Sequence, residues 1–287
     1  MEKDRLAAIE EQRSGFSKGQ ARIAAFIEQN FDKAAFMTAA RLGKIAGVSE
    51  STVVRFATEL GFEGYPEMRA ALQDMIRSRL TSVQRIEVAK TVMSGKDTVT
   101  AVLQSDVEKI NMTLSAVDHR AFDEAVRRIV EAKHVYVLGT RTSAPLAAFL
   151  SFYLNMLMPN VRLVEQNCAS ELLEQIFHIA PGDVLIGLSF PRYSTRTIRA
   201  ARYARDVGAC VIAVTDAETS PLAKVADLSL FAKSDMVSFV DSLVAPLSLL
   251  NALLVAVGSQ TREDVSETFS ELERVWDEYG VYEKHEG

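Results

Sequence analysis

Apolar positions recur at helical spacing from Ser17 to Leu80, whereas from His134 to Phe231 they come in short, β-branched runs between helical stretches. The change of rhythm predicts an all-helical amino-terminal part and an α/β carboxyl-terminal part. In the first, Ile23, Phe26 and Ile27 share one face of a helix from Ser17 to Asn30. Thr38 is placed to cap a second helix that ends at Gly47, and Ser49 to cap a third that runs to Leu60. Leu42, Val48, Val53 and Phe56 are spaced to pack these two together, with Gly43 small where the backbones cross. Pro66 opens a further helix through Leu80. Helices are expected over 97–117 and 118–132, before strands at 134–139, 161–164, 183–187, 209–214 and 227–231. Helices over 143–158, 170–179 and 194–207 fall between strands, and 237–279 closes the chain as helix. Strands alternating with helices in near-continuous apolar runs imply a doubly wound α/β domain with a five-stranded parallel sheet. The organisation expected is a helical domain at 1–80, a polar linker at 81–96 and the α/β domain at 97–287.

The segment TAARLGKIAGVSESTVVRFATEL, Thr38 to Leu60, has the layout of a DNA-binding helix-turn-helix, whose second helix enters the major groove. On that helix Val53, Phe56 and Leu60 look inward, while Glu50, Ser51, Val54, Arg55 and Thr58 look outward. Ser49 and Thr52 are expected on phosphate, helped by the free N–H groups of the helix start. Arg55 suits a guanine edge and Glu50 a cytosine amino group, though a first-turn carboxylate also simply favours the helix dipole. An ordinary helical hairpin shares the apolar period but has no use for the Gly-Val-Ser turn followed by Thr52 and Arg55.

Charge refines this picture. The net charge is −6, but residues 1–80 carry 12 Lys and Arg against 11 Asp and Glu, and the remainder 20 against 27. A near-neutral helical part on an acidic body fits DNA contact by a small face, not coating of nucleic acid by bulk charge. Cys168 and Cys210 have no second Cys or His at metal-ligand spacing and read as reduced thiols, so neither metal nor cofactor is expected. The opening MEKDR is no secretory signal, and the most apolar run, Leu243 to Val257, is short for a membrane span and holds Pro246, Ser248 and Asn251. It reads as a buried or dimer-forming helix, and the protein as cytoplasmic with no membrane partner.

Open α/β sheets bind ligands where strand order reverses, between strands 1 and 3 in an order 2-1-3-4-5. The loops there are GTRTS, Gly139 to Ser143, and SFPRYST, Ser189 to Thr195. Both are rich in hydroxyls and both open helices, which together favour an anion. Ser143, Ser194 and Thr195 also serve as ordinary N-caps, a role compatible with ligand binding.

Taken together, GVSESTVVRFATELGFEGYPE resembles the helix-turn-helix of the RpiR/MurR transcriptional regulators. DVLIGLS, VIAVTD and SPLAKVAD resemble the SIS (sugar isomerase) domain joined to it in that family. The resemblance implies a DNA-binding regulator that senses a phosphosugar or related anionic sugar metabolite and oligomerises, as a dimer or tetramer, on palindromic double-stranded operators. The family pattern fits Gly139, Ser143, Ser189 and Ser194 of the switch-point loops, and position adds Thr195, Arg141 and Arg192 to the candidate ligand site, with at least one of the two arginines on the ligand. SIS phosphosugar sites carry Gly-x-Gly-x-Ser after strand 1 and Ser-x-Ser-Gly-x-Thr/Ser after strand 3. Here Arg141 stands for the middle glycine, and Pro191-Arg192 for the Ser-Gly pair. The arginines block close approach of a phosphate, replace it with bidentate contacts, or simply point to solvent or pair with Glu or Asp, and a sugar acid or other carboxylate becomes a rival to a plain sugar phosphate. The rival function is a sugar-phosphate isomerase with a helical appendage, for which Glu165, Glu171 and His178 are the candidate bases. A glucokinase-regulator-like interaction protein is the third reading, and it leaves Ser49 to Arg55 without a purpose.

Overall fold

The computed structural model describes residues 15–77, 83, 86, 97–165, 171–234, 240–261 and 265–282. The expected linker at 81–96 lies outside these except at positions 83 and 86, as do Cys168 and residues 78–80 of the helix expected through Leu80. The chain forms two compact units, with the break between Ala101 and Val102.

The first unit contains α1 (Lys18–Gln29), α2 (Phe31–Ala34), α3 (Ala39–Ala46), α4 (Glu50–Glu59) and α5 (Tyr65–Arg77). A capping box starts α1: the Ser17 hydroxyl accepts from the Gln20 N–H, and the Gln20 side chain accepts from the Ser17 N–H. Ile23, Ile27, Leu42, Val53, Phe56, Met68 and Leu72 are fully buried and form one core, with the rings of Phe16 and Phe56 edge to face at 5.3 Å. Tyr65, also buried, donates its hydroxyl to the Met37 carbonyl at 2.9 Å and so ties α5 to the start of the helix pair.

Burial pushes the Tyr65 phenol up to about 12, against the nearby Arg69, which lowers it. A folded-state value above the unfolded one gives stability that is full below the unfolded pKa of about 10 and is lost as pH rises towards about 12. Urea unfolding of the helical unit should therefore shift to lower midpoints over this alkaline window. Tyr65→Phe should remove that slope and cost about 1 kcal/mol at neutral pH through the lost hydrogen bond. A phenylalanine variant with the wild-type alkaline slope would assign the effect elsewhere.

α6 (Thr98–Ala116) starts in the last residues of the first unit and runs on into the second, which continues with α7 (His119–Val130) and then alternates β1 (Val135–Gly139), α8 (Ala144–Leu157), β2 (Val161–Leu163), α9 (Glu171–Gln175), β3 (Val184–Leu188), α10 (Thr195–Asp206), β4 (Cys210–Thr215) and β5 (Leu228–Phe231). The second unit closes with α11 (Val244–Gln260) and α12 (Val265–Tyr279). The strands are all parallel, as the alternation predicts, and their order is β2-β1-β3-β4-β5. β1 and β3 are buried along their whole length, because helices cover both faces. On one face Val137, Ile186 and Ile212 pack with α7, α8 and α11; on the other Tyr136, Leu185 and Val211 pack with α9 and α10.

Three expectations change in detail. The helix expected over 170–179 ends at Gln175, where bonds from Phe177 to Glu174 and from Ile179 to Ile176 tighten the chain into turns that bury Ile176 and Ile179. The expected helix from 237 to 279 is two helices, broken where Thr261 turns extended at φ −62° and ψ 139°. The apolar run Leu243 to Val257 becomes α11, whose Ala245, Pro246, Leu249, Leu250, Leu253, Leu254 and Val257 are buried in the domain's own core. No helix among the described residues is long and apolar enough to cross a membrane.

Candidate functional site

In the helical unit the turn between α3 and α4 is built by local chemistry. The Thr38 hydroxyl accepts from the Arg41 N–H, and Gly47 ends α3 in the left-handed region at φ 66°. The Val48 N–H then bonds back to the Gly43 carbonyl at 2.8 Å. A β-carbon on Gly43 would lie 2.9 Å from the Val48 carbonyl oxygen and 3.3 Å from the carbonyl carbon of Ser49, so only hydrogen fits there. The Ser49 hydroxyl accepts from the Thr52 N–H at 3.3 Å and lies 2.9 Å from the Ser51 and 2.8 Å from the Thr52 hydroxyls. Ser49, Glu50, Ser51 and Arg55 are exposed and Thr52 half-buried, while Val53 and Phe56 seal the opposite face into the core. Val54, which sequence reasoning left without a role, is exposed between Ser51 and Arg55 and offers a methyl surface of the kind that meets thymine.

In the second unit, Gly139 at the end of β1 pairs with Leu188 at the end of β3, so the two loops leave the sheet side by side at its switch point. Gly139 is required, because a β-carbon would lie 2.5 Å from the Ser143 carbonyl oxygen and 3.0 Å from the Ala147 β-carbon. Ser143 stands at the N-cap of α8 but makes no side-chain cap bond, although the residue is only 3% exposed. Ser194 does cap: its hydroxyl accepts from the Thr197 N–H at 3.4 Å, and its own N–H donates to the Ser189 hydroxyl at 3.2 Å. Ser189 is buried and Thr195 exposed. Arg141 and Arg192 are both exposed, and both adopt the left-handed conformation, at φ 56° and φ 65°. They are the only non-glycine residues with positive φ among those described.

A polar scaffold that sequence reasoning missed holds these loops. Thr140 and Thr197 place buried hydroxyls 3.2 Å apart and join the β1 loop to α10. The Thr215 hydroxyl donates to the Ser189 carbonyl at 2.7 Å and lies 2.8 Å from the Ser220 hydroxyl. Tyr193 donates to the Asp216 carboxylate at 2.9 Å, which pins the middle of the β3 loop to the end of β4. The only advance signal was the concentration of Thr, Ser and Asp just past apolar runs. Of the candidate bases for an isomerase, Glu165 and His178 are exposed, and Glu171 begins α9. Cys210 is a half-buried free thiol, held above its ordinary pKa by burial first and the Asp227 carboxylate second.

Comparison with known proteins agrees with this architecture. The helix-turn-helix domain of the rpiR family matches residues 3–79, and the SIS domain matches residues 128–256. The sugar isomerase domain of an RpiR transcription factor from Sphaerobacter thermophilus superposes with a TM-score of 0.59 at 30% identity, covering 62% of this chain and 98% of that one. The chain belongs to the RpiR family. HexR of Pseudomonas aeruginosa, an HTH-type transcriptional regulator, is 26% identical over 265 residues, 89% of each chain. An HTH-type regulator of Caldanaerobacter subterraneus is 25% identical over 272 residues, 91% of this chain and 93% of that one. The NanR protein of Vibrio vulnificus, solved with ManNAc-6P, shares the fold with a TM-score of 0.59 at 20% identity, over 96% of this chain and 98% of its own. The RpiR assignment makes this chain a DNA-binding transcriptional regulator whose α4 is the second helix of its helix-turn-helix.

Proposed function

We propose that this regulator docks α4 in the major groove of a palindromic operator, and that an anionic, sugar-derived metabolite bound between the β1 and β3 loops sets how tightly it does so. Ser49 and Thr52 grip phosphates with the first-turn N–H groups, while Glu50, Ser51 and Arg55 face base edges. Gly139, Arg141, Ser143, Ser189, Arg192, Ser194 and Thr195 form the effector site. The observation that carries the effector reading is Ser143, a nearly buried helix-start serine whose hydroxyl caps nothing and is suited to a ligand oxygen. The NanR complex with ManNAc-6P supports a phosphosugar, and the two arginines support a second anionic group on it.

The reading is of a sensor and not an enzyme. The exposed Glu165 and His178 lack the enclosure that tunes a catalytic base. Two half-sites call for a dimer or a higher assembly, and the work is done in the cytoplasm, where the operator lies. The test is a gel shift on DNA upstream of its own gene, with and without sugar phosphates and phosphorylated sugar acids, beside a coupled isomerase assay. A metabolite that moves the shift midpoint without being turned over is expected. Turnover with no DNA binding would overturn the reading. Within the same assay Arg55→Ala should weaken operator binding by about 1–3 kcal/mol and relax preference at one position per half-site. Unchanged affinity with an intact circular dichroism spectrum would remove Arg55 from readout.

A further inference from the structure

Helix α10 carries Arg196, Arg199, Arg202 and Arg205, each three residues from the next, and one carboxylate, Asp206. It does so in an acidic setting, since residues 81–287 hold 20 Lys and Arg against 27 Asp and Glu. Thr197, Ala200, Ala201 and Ala204 are buried and face the sheet, and all four arginines are exposed on the outer half. On α7 and α12 the surface arginines stand among carboxylates three or four residues away: Arg127 pairs with Glu124 and Glu131, Arg128 with Glu124, and Arg274 with Glu271 and Glu278. On α10 the neighbours at that spacing are other arginines. Arg196, Arg199 and Arg202 pair with no carboxylate among the described residues, and Arg205 reaches only Asp227, at 4.0 Å. Arg196 also lies in the first turn, where the helix dipole disfavours a cation and no carboxylate offsets it. Like charges at this spacing repel, so the stripe destabilises its own helix until an anion lies against it.

The spacing indicates which anion. From Arg196 to Arg205 the helix rises about 13 Å at about 1.5 Å per residue, a length over which one strand of a DNA duplex presents about four phosphates at about 3.4 Å intervals. Guanidinium groups hold phosphate oxygens two at a time, which suits a rigid ridge of them. Lys224, exposed on the turn Ala223–Val225 that packs beside α10, adds a further cation. Asp206 and Asp227 gather at the carboxyl-terminal end, so Arg196, Arg199 and Arg202 form the uninterrupted part of the stripe. Single-stranded nucleic acid would call for free aromatic rings on which bases stack. The ring that α10 offers, Tyr203, is half-buried and donates its hydroxyl to the Phe177 carbonyl at 3.3 Å. The chain meets a duplex through its helical unit, whose 12 Lys and Arg against 11 Asp and Glu supply little net charge to the phosphates.

We infer that the outer face of α10 is a second nucleic-acid surface, which lies along the phosphate backbone of duplex DNA without reading its sequence. It adds to the operator reading above a contact from the α/β unit. The test uses the full-length chain with Arg199→Gln and Arg202→Gln together, two outward positions apart from the proposed effector site. Binding to the operator, and to a longer duplex of unrelated sequence, is followed by fluorescence anisotropy across a salt series. The slope of log affinity against log salt should fall by about 2, one for each phosphate contact, and affinity at low salt should fall roughly tenfold on both duplexes. Arg199→Lys with Arg202→Lys should keep most of the slope, because an ammonium still neutralises a phosphate. A Gln variant with the wild-type slope overturns the inference, and if that variant has also lost binding to polyglutamate the face belongs to an acidic protein segment. A Lys variant that loses as much slope as the Gln variant overturns it too, since the cause would then be a disturbed helix. Each of these leaves the operator reading standing, whereas a wild-type chain that binds neither duplex defeats both.

Discussion

Gly43→Ala is expected to lower operator affinity at least tenfold, about 1.4 kcal/mol, although alanine is the better helix former by about 1 kcal/mol. The obstacle is backbone: the new β-carbon would sit 2.9 Å from the Val48 carbonyl oxygen, and that carbonyl cannot rotate away as a side chain would. Either α3 and α4 separate or the Val48 and Ser49 peptides tilt, and both re-aim α4. Overpacking of this kind costs about 1–3 kcal/mol, enough to cancel the gain in helix propensity. Gly43→Val should be worse on both counts, because its branched side chain meets the same wall. Urea unfolding reads the stability term and a gel shift the affinity term. Full operator affinity in the alanine variant would mean that the crossing is looser than the geometry shows.

Arg192→Gly is expected to abolish the response to the natural effector while leaving operator binding in its absence unchanged. It should also admit sugar phosphates that the native chain ignores. The change tests the guanidinium and the backbone together, and Arg192→Ala separates them. Both remove the side chain, but alanine keeps the left-handed strain at φ 65° and glycine relieves it. The glycine variant should thus be the more stable of the two by about 1 kcal/mol. A glycine variant with full response at the same effector concentration would place Arg192 outside the site.

The parts of this molecule that local chemistry controls were legible in the sequence. Thr38, Gly47 and Ser49 act on partners three or four residues away, so their capping roles follow from composition and spacing. The parallel sheet follows from the strand-helix rhythm, because parallel strands need crossovers, whereas the order of the strands is one of several arrangements that the same rhythm allows. What was hidden depends on contacts distant along the chain. Thr140 and Thr197 lie far apart in sequence, and nothing local pairs them. Ser143 and Ser194 look alike as helix-start serines, yet one caps and the other does not. The apolar positions of α6 were visible, but the side on which they would lie was settled by Asp106, which accepts from the Ser242 hydroxyl, and Thr113, which accepts from the Lys233 N–H.

The left-handed arginines have a genetic consequence. Every arginine codon is a single base change from a glycine codon, so mutation offers relief of the strain at Arg141 and Arg192 continually. Each such change would lower the conformational energy of its loop by about 1 kcal/mol. A library of variants selected for folding alone should drift to glycine at both positions. One selected for effector response should hold arginine wherever the guanidinium touches the ligand, so codon usage in the survivors would report on the binding site without a bound structure.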